Sequence, residues 1–344
     1  MRFQDWQKKV SEIFSAAEEK GIKGGEAWLR RGEEVLFYHN YGFQKVFPED
    51  KPWKRGLILD VASLTKPLIT ALLLLILMEK GEVRPEDRLG KYFPDFPEDK
   101  KELILLELAT HISGLPSWAP LYKEGSGRQT MLKQLLKLSL SKDRKVNYSC
   151  PGYFFLGLVV EKVLGMKLAE AARKELFIPL NLQRAFFNPP EYMRPFIVPT
   201  ELGNKFEKAK AGKVKVKMRD YLIWGEVHDA NCYFWGGDGG NAGAFLDEEA
   251  IAKLALQYTR LSLLLKEYLE LSWRRVVDSR SFSWILRGEL LMHTGFTGGL
   301  LLIHPKKEMV AFLYLNRTHP EVVEDISSMR QEFIRSFLEF LKQI

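Results

Sequence analysis

Ser63 and Lys66 stand three residues apart in Ala-Ser-Leu-Thr-Lys-Pro (62–67), which opens a long apolar run from Leu68 to Met78. On a helix this spacing puts both side chains on one face, one turn apart. An amine then lies beside a hydroxyl at a helix N-terminus, where backbone N–H groups favour negative charge. A serine hydroxyl is a weak nucleophile until a base takes its proton. A lysine can be that base when burial or a neighbouring cation lowers its pKa. The competing reading is that Ser63 caps the helix and Lys66 is solvated, and the spacing alone does not separate the two.

Two further segments carry chemistry. Tyr148 sits in Val-Asn-Tyr-Ser-Cys-Pro-Gly-Tyr (146–153), a polar turn before an apolar helix. A tyrosine near a cationic lysine can relay a proton; the alternative is an ordinary turn tyrosine. His293-Thr294-Gly295-Phe296-Thr297-Gly298-Gly299 lies between two predicted strands. Glycines there let a substrate approach the backbone, and a free N–H on an edge strand can donate to an oxyanion. A Gly-rich hairpin is the plainer reading of the last two residues and leaves His293 and Thr294 unexplained.

Positioning these residues takes a defined order of elements. Phe3, Trp6, Val10, Ile13 and Phe14 share one face of a predicted helix over 3–20. Short strands follow at 25–31 and 34–39. Apolar residues Leu68, Ile69, Leu72, Leu73, Ile76 and Leu77 recur at helical period, Pro67 is tolerable only in a first turn, and Glu79-Lys80-Gly81 ends the run. Helical patterns dominate to about residue 280: 103–110, 130–140, 152–164, 167–177 and 247–271. Strand character returns at 282–286, 290–293, 299–304 and 309–315, before a final helix over 321–344. Chain ends sharing one antiparallel sheet, with a helical region inserted between them, explain this order. The expected division is a sheet domain from 1–60 and 281–344 and a helical domain from 61–280, with the site between them.

Composition narrows the class. Of 344 residues, 46% are hydrophobic and 28% charged, the balance of a globular chain. The run Pro67 to Met78 is too short to span a bilayer, and the first ten residues lack a signal-peptide core. No membrane association and a cytoplasmic location are the expectation. The net charge of +7 raises nucleic acid as a partner. The one basic cluster, Lys205, Lys208, Lys210, Lys213, Lys215 and Lys217, has no interleaved aromatics and no accompanying nucleic-acid motif. It reads as a solvated loop or β-ribbon, and the expected partner is a small-molecule substrate. Cys150 and Cys232 cannot form a disulfide framework, and no zinc spacing occurs. The pair His228-Asp229 reads as a hydrogen-bonded structural loop in preference to metal ligands, and His111 as a helix-end hydrogen-bonder.

Taken in order, the three chemical segments resemble the penicillin-recognising serine hydrolases. The nearest group is the class C β-lactamase-like branch, with its related esterases and D-amino-acid-type peptidases. That branch shows Ser-x-x-Lys, Tyr-x-Asn and Lys/His-Thr-Gly, which correspond to Ser63–Lys66, Tyr148–Cys150 and His293–Gly295. The stretches 108–116, 225–231, 236–245 and 315–320 resemble further family segments. The resemblance implies an α/β (α+β) fold of the β-lactamase/transpeptidase type. It implies Ser63 as the acylated nucleophile, Lys66 and Tyr148 as proton-transfer partners, and the backbone N–H groups of Ser63 and Phe296 as the oxyanion hole. His293, Thr294 and Gly295 line the cleft by the same resemblance, which implies no metal or organic cofactor.

Three positions depart from the pattern. Cys150 replaces the Asn whose amide both donates and accepts, and a thiol does this poorly. His293 replaces a lysine, making a fixed positive charge pH-dependent; Arg317 could supply that charge or form a structural ion pair. Asn241 stands where many relatives carry His. The changes at Cys150 and His293 favour a small ester or amide over a β-lactam. The runner-up readings are an acyl-sensing protein with little turnover, and a cysteine hydrolase using Cys150, for which no Cys–His signature exists.

Overall fold

The computed structural model describes residues 1–143, 145–274, 276–323 and 325–343. Strands β1 (Gly24–Arg31), β2 (Glu34–Lys45) and β3 (Lys51–Pro52) come from the start of the chain. Three short strands follow in the middle: β4 (Leu59–Asp60), β5 (Ala185–Phe187) and β6 (Ala244–Leu246). The last four are β7 (Ile285–Arg287), β8 (Leu290–Thr294), β9 (Gly299–His304) and β10 (Met309–Leu315). They form a seven-stranded antiparallel sheet in the order β3-β2-β1-β10-β9-β8-β7 and a three-stranded sheet in the order β4-β6-β5. Both chain ends therefore build one sheet, joined through the β1–β10 pair.

Side-chain alternation along these strands divides the core. Ala27, Leu29, Ala311 and Leu313 face the helices Phe3–Glu19 and Ser327–Leu341, where Trp6, Val10, Phe333 and Phe337 are buried. Trp28, Leu301, Ile303, Val310 and Phe312 face the inserted helical region. A strand covered on both faces reads as a continuous apolar run, which is why Leu300–Ile303 and Val310–Leu315 show no polar alternation.

The run after Ser63 is the centre of the second core. It opens as a tight 3₁₀ turn (Ala62–Leu64), widens to a π-helical segment (Lys66–Ala71) and continues as an α-helix (Leu72–Glu79). Every residue from Leu72 to Met78 is buried, as expected of a helix that is apolar all round. The expectation of a run too short to cross a membrane needs amending. Ala62–Glu79 meets the length and hydropathy of a span, but 89% of it is buried inside the protein, as a core helix is.

Other differences from expectation are local. The predicted helix over 247–271 ends at Leu256, where Gln257 turns its side-chain oxygen onto the Leu263 amide at 3.0 Å. The lysine-rich segment, expected as a loop or ribbon, contains a short helix (Lys205–Ala211).

Candidate active site

The turn before Ser63 is held from three sides. Ala62 adopts φ +47°, an unfavourable value for a residue with a side chain. The buried Asp60 carboxylate accepts the Ala62 amide at 2.9 Å and the His228 amide at 2.7 Å. Its carbonyl accepts the Thr297 hydroxyl at 2.7 Å. Gly295 packs against the same turn, so a Cβ there would lie 2.7 Å from the Val61 carbonyl. Asp60 thus ties the turn before Ser63 to the 225–231 segment through its carboxylate and to the loop after β8 through its carbonyl.

Ser63 is half-buried and Lys66 wholly buried, at 0% exposure. Lys66 Nζ donates to Ser63 Oγ at 3.0 Å and to the Asn241 carbonyl at 2.9 Å. It lies 5.1 Å from the Tyr148 ring centre and 5.6 Å from that of Tyr153. The Gly-rich segment 236–245 is strapped along this helix, since the Thr70 hydroxyl donates to Gly240 and Thr65 accepts the Ala244 amide. Gly240 can carry no side chain because the Tyr153 carbonyl would meet a Cβ at 1.9 Å.

Tyr148 is positioned by the 108–116 segment. His111 Nδ1 accepts the Ser149 amide at 3.0 Å, and its carbonyl accepts the Asn147 amide at 2.8 Å. The His111 and Tyr148 rings are 4.6 Å apart, so the expected helix-end hydrogen-bonder also backs the candidate relay residue. Cys150 begins the helix Cys150–Leu164, which Ser149 caps by accepting the Gly152 amide.

These groups share a cavity of about 440 Å³, within the range of small-molecule sites. Ser63, Tyr148, Cys150, His293, Thr294, Gly295, Phe296 and Arg317 all line it. The amides of Ser63 and Phe296 donate to no protein acceptor among the described residues, leaving both free for an incoming oxygen.

The charges follow from burial. Burial pulls the Lys66 ammonium down, but Cys150 and Tyr148 in their ionised forms outweigh this and leave it raised. Burial pushes the Tyr148 phenol up, against the pull of Lys66, and does the same to the Cys150 thiol. The resting trio at neutral pH is therefore ammonium, phenol and thiol. Burial, with Lys66 and Arg280 nearby, holds His293 well below its usual range, so it is neutral there and its charge is not available near neutral pH. Its Nδ1 pairs with the Thr294 carbonyl at 2.9 Å, and its Nε2 has no partner.

Sequence reading missed several cavity residues, three of them charged. Arg280 lies 5.7 Å over the Tyr148 ring with a buried Nη1 that meets no acceptor. Arg330, on the C-terminal helix, donates to the Gly295 and Gly299 carbonyls and braces the loop after β8. Glu207 comes from the lysine-rich helix. Arg317 sits 4.9 Å over the Phe296 ring and donates to the Val323 carbonyl at 2.6 Å. His228 is paired with Glu201 at 2.9 Å, and Asp229 caps the helix Ala230–Trp235, as a structural loop requires. Among the described residues, no group of three or more His, Cys, Asp or Glu side chains could hold a metal.

Comparison with known proteins agrees with this architecture. A putative D-alanyl-D-alanine carboxypeptidase from Escherichia coli (strain K12) is 27% identical, over 78% of this chain and 71% of its own. The solved structure of EstCE1, a hydrolase with promiscuous acyltransferase activity, superposes with a TM-score of 0.74 at 18% identity, covering 96% of this chain and 98% of that one. A class C β-lactamase from Rhodobacter sphaeroides gives 0.74 at 16% identity, covering 97% and 99%. The family described as Beta-lactamase matches residues 10–332. The chain therefore belongs to the β-lactamase family of serine hydrolases, related to penicillin-binding proteins and esterases.

Proposed function

We propose that the protein hydrolyses a small ester or amide through an acyl-Ser63 intermediate. The observation that carries this is the 3.0 Å hydrogen bond between accessible Ser63 Oγ and the wholly buried Lys66, in a cavity beside Tyr148. Ser63 Oγ forms a bond to the substrate carbonyl carbon while its proton passes to the Lys66–Tyr148 pair. The carbonyl oxygen takes up negative charge against the Ser63 and Phe296 amides. The C–N or C–O bond breaks and the leaving group receives the proton. Water then adds to the acyl-enzyme, its proton passing to the same pair, and Ser63 is regenerated as the acid departs.

The pair can accept a proton only after losing one, because its resting form is ammonium and phenol. Beside it, the Arg280 guanidinium offers an unsatisfied donor where His293 offers no charge. A carboxylate on the leaving group fits that donor. Cys150 offers a thiol where an amide would hold the acylamino group of a β-lactam, and we therefore assign substrates of the D-peptidase or esterase kind ahead of β-lactams.

The test is a mass shift on Ser63 after exposure to short-chain esters, D-peptides and a penicillin. Transient acylation with product release, absent in Ser63→Ala, supports the proposal. Turnover that survives in Ser63→Ala refutes it, and a persistent adduct with no product from any substrate favours an acyl sensor.

A further inference from the structure

A guanidinium without a counter-ion stands behind the loop that follows β8. Arg330 Nη2 donates to the Gly295 carbonyl at 2.7 Å and to the Gly299 carbonyl at 3.0 Å, while its buried Nε meets no acceptor. Among the described residues no carboxylate pairs with it. Burial, with Arg317 close by, pulls it down to about 10, so it is charged at neutral pH. A neutral donor could brace two carbonyls, and a desolvated charge without a partner is costly. The peptide it holds shows what the charge meets. The Gly295–Phe296 bond is trans and planar, so its carbonyl and its N–H point in opposite directions. Arg330 and the Gly298 amide, at 3.2 Å, hold the carbonyl end. The other end is the free N–H of Phe296, a residue that lines the cavity. The Phe296 ring packs on His228 at 5.3 Å, Phe206 at 5.1 Å and Arg317 at 4.9 Å, and Glu201 holds His228 in turn. Ring packing fixes where Phe296 sits and leaves the tilt of its peptide plane open.

We propose that Arg330 is a positioning residue for the oxyanion hole: through the peptide it shares with Phe296, it aims that N–H and strengthens it as a donor. A cation on the carbonyl oxygen draws electron density from the amide nitrogen, and hydrogen bonds in a chain polarise one another. The negative charge that develops on the substrate oxygen gives Arg330 the counter-charge that the resting fold lacks. That charge exists only along the reaction, so the effect falls on kcat and not on ground-state binding. Arg330 differs in this from Arg280. Its Nη2 is committed to backbone carbonyls, so a substrate with no carboxylate of its own gains from it too. The inference rests on the reading of Ser63 as the acylated residue and of the Phe296 amide as an oxyanion donor.

Arg330→Gln and Arg330→Lys in the full-length chain test it, with two probes. One is a neutral chromogenic butyrate ester. The other is phenylboronic acid: the Ser63 Oγ–boron bond forms, the hydroxyl proton goes to solvent, and boron becomes a tetrahedral anion like the reaction intermediate. Arg330→Gln should lower kcat and kcat/KM for the ester by about 10–100-fold, with KM changed by no more than about twofold. Inhibition by phenylboronic acid should weaken by a matching factor. Arg330→Lys keeps the charge and loses the planar fork. It should recover most of the loss, leaving a matched deficit of about threefold, and it carries the test if Arg330→Gln does not fold. Wild-type kinetics in the folded variants, a loss confined to KM, or a fall in kcat with phenylboronic acid affinity intact overturns the inference. Mass spectrometry of the wild type separates this failure from that of the parent reading. A wild type that forms no acyl-Ser63 refutes both, whereas an acylated wild type with unimpaired variants overturns the role of Arg330 alone.

Discussion

Lys66 is the buried charge on which the proposed chemistry depends, and its surroundings set what its removal should do. Replacing a buried ion by an apolar side chain of similar length is often neutral or stabilising. Lys66→Met should keep or raise the melting temperature while lowering ester turnover by about 10²–10⁴-fold; parallel calorimetry and kinetics check both. Lys66 and Tyr148 are both raised, so the fraction of enzyme with one proton missing from the pair grows as pH rises. The value of kcat/KM for a neutral ester should therefore climb through the alkaline range, and a pH profile flat from 6 to 10 would contradict the assignment. Cys150 tests substrate choice. An amide there both donates and accepts, so Cys150→Asn should speed acylation by a penicillin by about tenfold, read as the rate of adduct formation.

At the scale of elements, the site depends on how closely the loop after β8 meets the turn before Ser63. Gly295→Ala would force a methyl to within 2.7 Å of the Val61 carbonyl. It should cost about 1–3 kcal/mol, checked by denaturant unfolding, and should lower activity by moving the Phe296 amide. That Ser63, Lys66 and Tyr148 could meet in one site was legible because the signals are local: a spacing on one helix, and a polar turn before another. The four C-terminal strands and both sheet-covering helices were legible through periodicity. β4, β5 and β6 were not, since two or three residues cannot show alternation. Arg280 lies in an irregular segment, and Glu207 is one acid in a lysine-rich helix. Nothing near either residue in sequence shows what it faces, because the chemistry of each comes from partners far along the chain. The break at Gln257 escaped for a similar reason, as Tyr258 is drawn aside by the distant Pro67 carbonyl.

Across the whole molecule, buried carboxyls make stability depend on pH. Glu26, at 1% exposure, accepts from Tyr38 and Trp53 but leaves Oε1 unpartnered, and burial raises it to about 7. Its folded pKa is above its unfolded value, so the folded state holds a proton that the unfolded state has lost. Stability from this group is present below about 4.5 and is lost as pH rises to about 7, a change on the order of 3 kcal/mol. Glu26→Gln should flatten that decline, as unfolding midpoints at pH 5 and pH 8 will show. The sheet has a further consequence, and it concerns time. Gly25 pairs with Leu315, so the first long strand has no central partner until nearly the whole chain exists. At ribosomal speeds of about 5–20 residues per second, that wait is on the order of 15–60 s. During it the helix after Ser63 has no finished sheet to bury its leucines. A nascent chain stalled before β10 should therefore be bound by chaperones and be inert, and release past that strand should switch on folding and the proposed acylation of Ser63 together.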